Sequence, residues 1–181
     1  MIRTVDLRGK ALSKAGYSAQ LPRANFNIDQ ALVLIQPILD RVKNGTELDL
    51  IALAQEFDGV KPSAIKVSQT DLDMALQNLD PEVRLALELS IVRIKKVHND
   101  QVRSESTTTV VDGGTVTEKW IPVDRVGLYV PGGRAVYPSS VMMNVIPAQI
   151  AKVSSIAVAS PPQKEFGGLP HPTILATCAL L

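Results

Sequence analysis

Two short apolar runs on either side of a helical segment constrain the fold of this 181-residue chain more than any other feature. The first run, residues 126–130, is rich in β-forming side chains and ends at Pro131-Gly132-Gly133, where the backbone must turn sharply. The second run, residues 155–159, ends at Pro161-Pro162. Residues 141–153 between them have helical periodicity. Two strands joined by a helix predict a parallel βαβ unit with a right-handed crossover.

The loop after the first predicted strand is the place where such a unit binds a ligand. In parallel α/β folds ligands collect at the carboxyl ends of strands, and glycine lets the backbone approach a phosphate closely. Pro131, Gly132 and Gly133 therefore lie where a nucleotide is expected. Loop chemistry alone favours an ordinary turn, because the chain has no GxGxxG motif and this tripeptide occurs in many turns. Ser139 and Ser140 are predicted to cap the following helix with their hydroxyl groups.

The residues before this unit predict several helices and one β-hairpin. Asn27 is predicted to cap the first helix, Thr70 the third and Asp80 the fourth, in which Pro81 suits the first turn. Pro37 predicts a kink or a break in the first helix. Turn glycines between two β-branched runs predict the hairpin. The predicted segments are helices at residues 28–43, 48–57, 71–79 and 81–102, hairpin arms at 107–111 and 115–121, and a last helix that begins at residues 171–173.

The longest predicted helix carries two adjacent apolar stripes. An apolar surface this wide requires partners on two sides. We therefore interpret the segment as a scaffold helix buried between neighbours rather than as a binding surface. One stripe is Val83, Ala86, Leu87, Ile91, Ile94 and Val97, and the other is Leu85, Leu89 and Val92.

Charge and hydropathy argue against several partners and locations. The formal net charge is +1, from 19 basic and 18 acidic residues, so nothing favours binding to nucleic acid or to an anionic membrane. No apolar run approaches the length of a membrane span, and residues 1–4 do not open a signal peptide, so a cytoplasmic protein is expected. Cys178 is the only cysteine, which excludes an internal disulfide and suits a reducing compartment.

The two histidines and the cysteine do not predict a metal or catalytic site. His98 falls near the end of the longest helix, where the helix dipole favours positive charge. His171 precedes a proline at a helix start and is interpreted as a surface or capping residue. Zinc requires about four ligands, and these histidines have no carboxylate or thiol partner at ligand spacing. Cys178 lies on an apolar helical face and is interpreted as a small buried residue.

Several strings of the sequence closely resemble the histidinol dehydrogenase family. The most specific are RVGLYVPGG at residues 125–133, AVYPSSVMMN at 135–144 and PAQ at 147–149. The likeness continues at residues 6–9, 21–24, 57–60, 116–123, 159–162 and 169–176, so it spans essentially the whole chain.

The resemblance implies an NAD-dependent, zinc-requiring enzyme that oxidises L-histidinol through L-histidinal to L-histidine in histidine biosynthesis. Its implied fold is α/β, with an N-terminal helical region and β-hairpin at residues 1–122 followed by an incomplete Rossmann-like parallel βαβ unit at 123–181. The resemblance also implies that Tyr129, which matches the tyrosine that contacts NAD in the family, binds NAD here, and that Pro131, Gly132 and Gly133 shape the adjoining cofactor loop. A homodimer is also implied.

The family's zinc ligands and its glutamate-histidine acid-base pair have no counterpart in this sequence. In the family they lie further along the chain, so we interpret the sequence as a truncated N-terminal portion and expect it to be inactive alone. No catalytic and no metal residue is therefore predicted here. The alternative is a stand-alone, non-catalytic module for nucleotide binding or oligomerisation. Wide apolar stripes and an uncapped end at two leucines favour the first interpretation.

Overall fold

The computed structural model describes residues 4–21, 28–133 and 135–181. The chain divides into two compact units, Met1–Asn44 and Gly45–Leu181. Asn27, the predicted cap, and Arg134 lie outside the described residues. The elements are α1 (Lys14–Gln20), α2 (Ile28–Asn44), α3 (Glu47–Phe57), α4 (Gln69–Gln77), α5 (Pro81–Asp100), β1 (Ser106–Val111), β2 (Gly114–Glu118), β3 (Arg125–Tyr129), α6 (Pro138–Ile150), β4 (Ser155–Ala159) and α7 (Pro172–Ala179).

The first unit consists of α1 and α2. Ser13 caps α1, because its hydroxyl accepts a hydrogen bond from the Gly16 amide at 3.2 Å. The α2 helix continues through Pro37 without the break that the sequence allowed for. Neither helix has a buried residue, and most of the apolar side chains of α2 are exposed. The helix predicted at residues 28–43 is thus confirmed, although no side chain within it is buried.

Caps define where α4 and α5 begin. Asp80 accepts hydrogen bonds from the amides of Glu82 and Val83 at 2.8 and 3.2 Å, which confirms it as the cap of α5. Thr70 was wrong as the cap of α4. The Ser68 hydroxyl accepts from the Asp71 amide at 3.1 Å instead, so α4 begins two residues earlier than the apolar pattern indicated.

The β1–β2 hairpin is antiparallel, as predicted. Val111 pairs with Gly114 across a two-residue turn, in which Gly113 has a φ of +73°. Glycine is favoured there because a side chain is strained at positive φ. Apart from the half-buried Gly114, every residue of the two strands is exposed. The hairpin therefore contributes no buried face to the described part of the chain.

The βαβ unit is also confirmed. Its strands β3 and β4 pair in parallel, from Arg125 opposite Ser155 to Tyr129 opposite Ala159. The α6 helix between them begins at Pro138, and its preceding residue makes no side-chain cap. The predicted serine caps were therefore wrong, and both serines lie in the first turn. Proline already has the φ of a helix and needs no donor in the first turn, so the helix starts before its apolar pattern does.

Eight buried residues of the second unit form two clusters that share α6. In the first cluster α5 packs on α6, and in the second α6 packs on the sheet and α7. The Gln149 amide also donates to the Leu181 carbonyl at 2.6 Å, which ties the end of α6 to the residues after α7. The clusters are Leu87, Ile91, Met142 and Ile146, and Val130, Val141, Val145 and Ile174.

Only one side of α5 is covered by described residues of the second unit. Its first stripe contributes buried Leu87 and Ile91 to the core, but Leu85 is 67% exposed and Val92 64%. The expectation that α5 is buried between neighbours on two sides is therefore wrong for this chain. The second stripe faces no packed element among the described residues of the second unit, 45–133 and 135–181.

Lys152 ends α6 in a left-handed conformation, with a φ of +63°. The Lys152 amide donates to the Gln149 carbonyl at 3.0 Å, and the Val153 amide donates to the Ala148 carbonyl at 3.0 Å. This pair of bonds is a Schellman motif, in which glycine usually occupies the left-handed position. The turn returns the chain directly into β4.

Candidate functional site

The candidate site lies where β3 and β4 end. Because the two strands are parallel, their carboxyl ends meet at one edge of the sheet. The Val130 amide extends the pairing by donating to the Ala159 carbonyl at 2.8 Å. The chain then leaves β3 through Pro131 and leaves β4 through Ser160. The structure thus places the predicted loop beside the residues that follow β4.

Gly132 and Gly133 are required in this loop for different reasons. A Cβ on Gly132 would lie 3.2 Å from Ser160 Oγ and 3.3 Å from Gln163 Nε2, closer than most side-chain contacts. Gly133 has open space around it, but its φ of +93° strains any other residue. One glycine therefore lets the loop pack closely against the residues that follow β4, and the other allows the turn.

Two polar atoms beside Gly132 are buried without a partner. Ser160 Oγ and Gln163 Nε2 make no hydrogen bond to any described residue. Buried polar groups are normally paired, so such atoms require an explanation. Sequence reasoning missed both. Ser160 belonged only to a resembling string, and Gln163 fell in no motif or predicted element, so nothing in the sequence indicated that either side chain is buried.

A cavity of about 870 Å³ runs along the β3–β4 sheet and reaches Tyr129 and Ser160 at the strand ends. It is lined by β3 and β4, α7 and the connection between α3 and α4, mostly with apolar side chains. Tyr129 lines it with a side chain that is 64% exposed, and Ser160 also lies in its wall. A concave, mostly apolar space of this size with a few polar groups is typical of sites for cofactor-sized ligands.

Cys178 lines the cavity but is not a nucleophile. Burial raises the pKa of its thiol to about 11, so the thiol remains protonated at neutral pH. The residue packs against the cluster formed by α6, α7 and the sheet. This position agrees with the interpretation of Cys178 as a small apolar residue.

The histidines have structural contacts. His171 Nδ1 accepts from the Thr173 amide at 3.1 Å and so caps α7, as predicted, while its ring meets Phe166 edge-on at 4.9 Å. His98 lies in the last turn of α5 and lines a second cavity of about 630 Å³, together with Arg103 and Trp120. The Arg103 guanidinium there stacks over the Trp120 ring at 4.7 Å.

The described residues do not fit a zinc site. Among them, no three histidine, cysteine, aspartate or glutamate side chains lie close enough together to hold a metal ion. Zinc takes about four ligands from these residue types. No helix within the described ranges is both long and apolar enough to span a bilayer.

Comparison with known proteins decides the family. A sequence profile described as histidinol dehydrogenase matches residues 21–181. The chain belongs to the histidinol dehydrogenase family. A histidinol dehydrogenase of Thermobifida fusca is 58% identical over 181 residues, which cover 100% of this chain and 41% of the relative. One from Streptomyces avermitilis is 57% identical over 182 residues, with the same coverage.

A solved structure confirms the fold of this histidinol dehydrogenase family member. The crystal structure of histidinol dehydrogenase from Elizabethkingia anophelis superposes with a TM-score of 0.77 at 26% identity, covering 88% of this chain and 36% of that chain. The chain therefore spans about two fifths of the length of the curated relatives it matches. Tyr129, Pro131, Gly132 and Gly133 lie together at the sheet edge, and their contact with NAD stays a prediction.

Proposed function

We propose that this chain is the N-terminal portion of an NAD-dependent, zinc-requiring histidinol dehydrogenase that oxidises L-histidinol through L-histidinal to L-histidine in histidine biosynthesis. The observation that carries the proposal is the glycine loop at the carboxyl ends of two parallel strands, in a chain that matches the family over residues 21–181. Residues 123–181 contribute the first part of the NAD-binding domain, and residues 1–122 form the helical scaffold with its hairpin. L-Histidinol as the substrate, a homodimer and a cytoplasmic location belong to the same proposal.

Four residues of this chain would hold the dinucleotide. Tyr129 offers an aromatic face and a hydroxyl group at the end of β3, where it lines the cavity. Pro131 fixes the backbone as it leaves the strand, and Gly132 and Gly133 let it approach the ligand closely. When bound, NAD supplies the acceptor for the hydride removed from the alcohol.

The groups that move protons and hold zinc are proposed to come from the rest of a full-length family member. Each oxidation requires a base placed against the reacting alcohol or hydrate. Within the described residues, His171 is engaged as a helix cap, and Cys178 has a raised pKa. Neither is arranged as a base beside Tyr129. We therefore propose that the 181-residue chain binds cofactor but does not turn over substrate.

An assay of NADH formation tests whether the catalytic groups lie outside this chain. The purified chain is incubated with L-histidinol and NAD, with and without added zinc, and the full-length Thermobifida fusca relative serves as the positive control. We expect no NADH above the enzyme-free background from the chain and steady turnover from the control. Zinc-dependent turnover by the 181 residues alone would contradict the proposal, because it would place the catalytic groups within this chain.

A second candidate is a non-catalytic nucleotide-binding or oligomerisation module. The exposed second stripe of α5 supports both candidates, because either a partner protein or further chain could cover that apolar surface. Sedimentation velocity separates the two, because a stable monomer at all concentrations favours the module. Concentration-dependent, open-ended association favours the incomplete enzyme.

A further inference from the structure

The parallel sheet has one exposed face, and this face points to the kind of segment that packs on it. We propose that the outward side of β3 and β4 binds an apolar helix from the C-terminal portion of a histidinol dehydrogenase chain. The inference rests on the proposed function, in which this chain is the N-terminal portion of such an enzyme. It adds the surface on which the remaining chain packs and the chemistry of the segment that covers it.

The two faces of the sheet have opposite environments. The inward side chains pack against the cluster that α6 and α7 share, and they are Leu128, Ile156 and Val158. Side chains alternate between the two faces along a strand. Towards the strand ends the opposite face is exposed at every position, and it consists of two pairs in register, Gly127 beside Ala157 and Tyr129 beside Ala159. These four residues are the outward face.

A parallel sheet with one face in water is unusual. Helices connect parallel strands and pack on both faces of the sheet, so parallel sheets occur almost only where both faces are covered. In the described part of the second unit, the outward face of β3 and β4 stays exposed. An exposed face on a parallel sheet therefore indicates a layer of helix that belongs there.

The outward face suits a helix with large apolar side chains. Gly127 and Ala157 are the smallest residue types, and a Cβ added to Gly127 would meet no atom within 4 Å. The charged residue of these two strands is Arg125, which lies at the other end of the sheet. Large and small side chains interdigitate in well-packed cores, so a floor of glycine and alanine fits leucine, isoleucine or methionine on the facing helix.

The cavity of about 870 Å³ borders this face. All four residues of the outward face line it, together with apolar residues of the connection between α3 and α4 such as Ile65 and Val67. A helix seated along the strands would occupy that part of the cavity. Tyr129 is the last residue of β3, so the strand ends and their loop would stay open to the proposed cofactor.

The remaining part of a family chain is favoured over a second copy of this chain. The match to the Thermobifida fusca relative covers 41% of that protein, so more than half of a full-length chain lies outside it. A two-fold pair of copies would place the outward face against the same face of its partner. Glycine and alanine facing one another would leave space between the sheets unfilled and lose dispersion contacts.

A chimera tests the inference. In it the 181 residues replace the matched part of the Thermobifida fusca relative, so the rest of that protein follows them. Ala157→Arg places a charge on the outward face of both the chimera and the isolated chain. We expect the melting temperature of the chimera to fall by roughly 5–10 °C, because the helix would bury the arginine without a partner. The isolated chain should change by no more than about 2 °C, because Ala157 is exposed there.

Thr108→Arg is the matched control. Thr108 lies in β1, where every residue is exposed, so the same side chain is placed on a strand that buries no face. The melting temperatures of the chimera and of the isolated chain should both stay within about 2 °C of their parents. If Thr108→Arg lowers the melting temperature of the chimera as much as Ala157→Arg does, the effect is not specific to the outward face and the inference is overturned.

The outcomes separate this inference from the proposed function. Equal, small effects of Ala157→Arg in the chimera and in the isolated chain overturn the inference, because the outward face then stays open in the longer protein. Sedimentation velocity of the isolated chain tests the other occupant: a dimer that Ala157→Arg dissociates would identify a second copy and also overturn it. NADH formation from L-histidinol by the wild-type chimera supports the proposed function in either case. A wild-type chimera without a cooperative unfolding transition overturns both.

Discussion

At the scale of single residues, the loop after β3 depends on two glycines that act through the backbone. Gly132 and Gly133 could be assigned to a turn from their type and position, and the structure gives each a reason. Ser160 and Gln163 could not be found in this way. Their burial depends on the loop at residues 131–133 and on the turn at Gly168, which are distant in sequence, so no local pattern shows that their side chains lack partners.

Tyr129 provides the residue-scale test of cofactor binding. Replacing it with alanine removes an aromatic face from the cavity wall, and we expect NAD affinity to fall by roughly three- to tenfold. Tyr129→Phe should retain the part of this affinity that comes from the ring. Fluorescence or calorimetric titration measures the change.

The matched control for Tyr129 is Tyr17→Ala. Tyr17 lies in the first unit, and its hydroxyl donates to the Lys10 carbonyl at 2.7 Å. Its removal should leave NAD affinity unchanged. Equal affinities for the wild type and Tyr129→Ala would remove Tyr129 from the site and leave Pro131, Gly132 and Gly133 as its remaining predicted members.

At the scale of elements, the sequence located helices and strands better than it located their ends. The strand predicted at residues 155–159 coincides with β4, because prolines and a polar turn bound it on both sides. Helix starts were less predictable. Several hydroxyl-bearing residues stand near each start of α4 and α6, and the choice among them depends on which backbone amides the folded chain leaves free.

Lys152 carries an element-scale prediction about stability. A residue with a side chain loses about 1–2 kcal/mol of stability in the left-handed region. Glycine avoids this strain, but the greater freedom of its unfolded chain lowers stability by about 0.4–1 kcal/mol. Lys152→Gly should therefore raise the free energy of unfolding by about 0.5–1 kcal/mol. Urea denaturation followed by circular dichroism measures it.

Lys119→Gly is the comparison for Lys152→Gly. Lys119 is exposed and has no positive φ, so glycine there relieves no strain and should lower stability by about 0.4–1 kcal/mol. If both substitutions lower stability alike, the left-handed turn after α6 is not strained in solution.

The two stripes of α5 carry a second element-scale prediction. Leu87 is 6% exposed and packs in the cluster shared with α6, whereas Leu85 is 67% exposed. Leu87→Ala should lower the free energy of unfolding by about 2–5 kcal/mol, and Leu85→Ala by no more than about 0.5 kcal/mol. Both changes have the same effect on helix propensity, so the difference between them reports burial. Similar losses in a urea titration would mean that the second stripe is also covered in solution.

At the scale of the whole molecule, the local sequence pattern was sufficient to predict the parallel βαβ unit. It was insufficient to predict which elements pack around that unit. Apolar runs, glycines and prolines define β3, α6 and β4 within one short stretch. Which side of α5 is covered depends instead on tertiary partners that periodicity cannot supply. The expectation of two covered sides suits a longer protein, and the relatives are more than twice the length of this chain.

The parallel sheet consists of β3 and β4 alone in the described ranges, so the outer side of each strand carries backbone amides and carbonyls without strand partners. Such bare edges can recruit strands from neighbouring molecules and lead to aggregation. The tendency of the chain to aggregate at high concentration therefore depends on these main-chain groups as much as on surface leucines and valines. Mutating apolar surface residues would leave this route to precipitation open, whereas a proline or an inward-facing charge on an outer strand would close it.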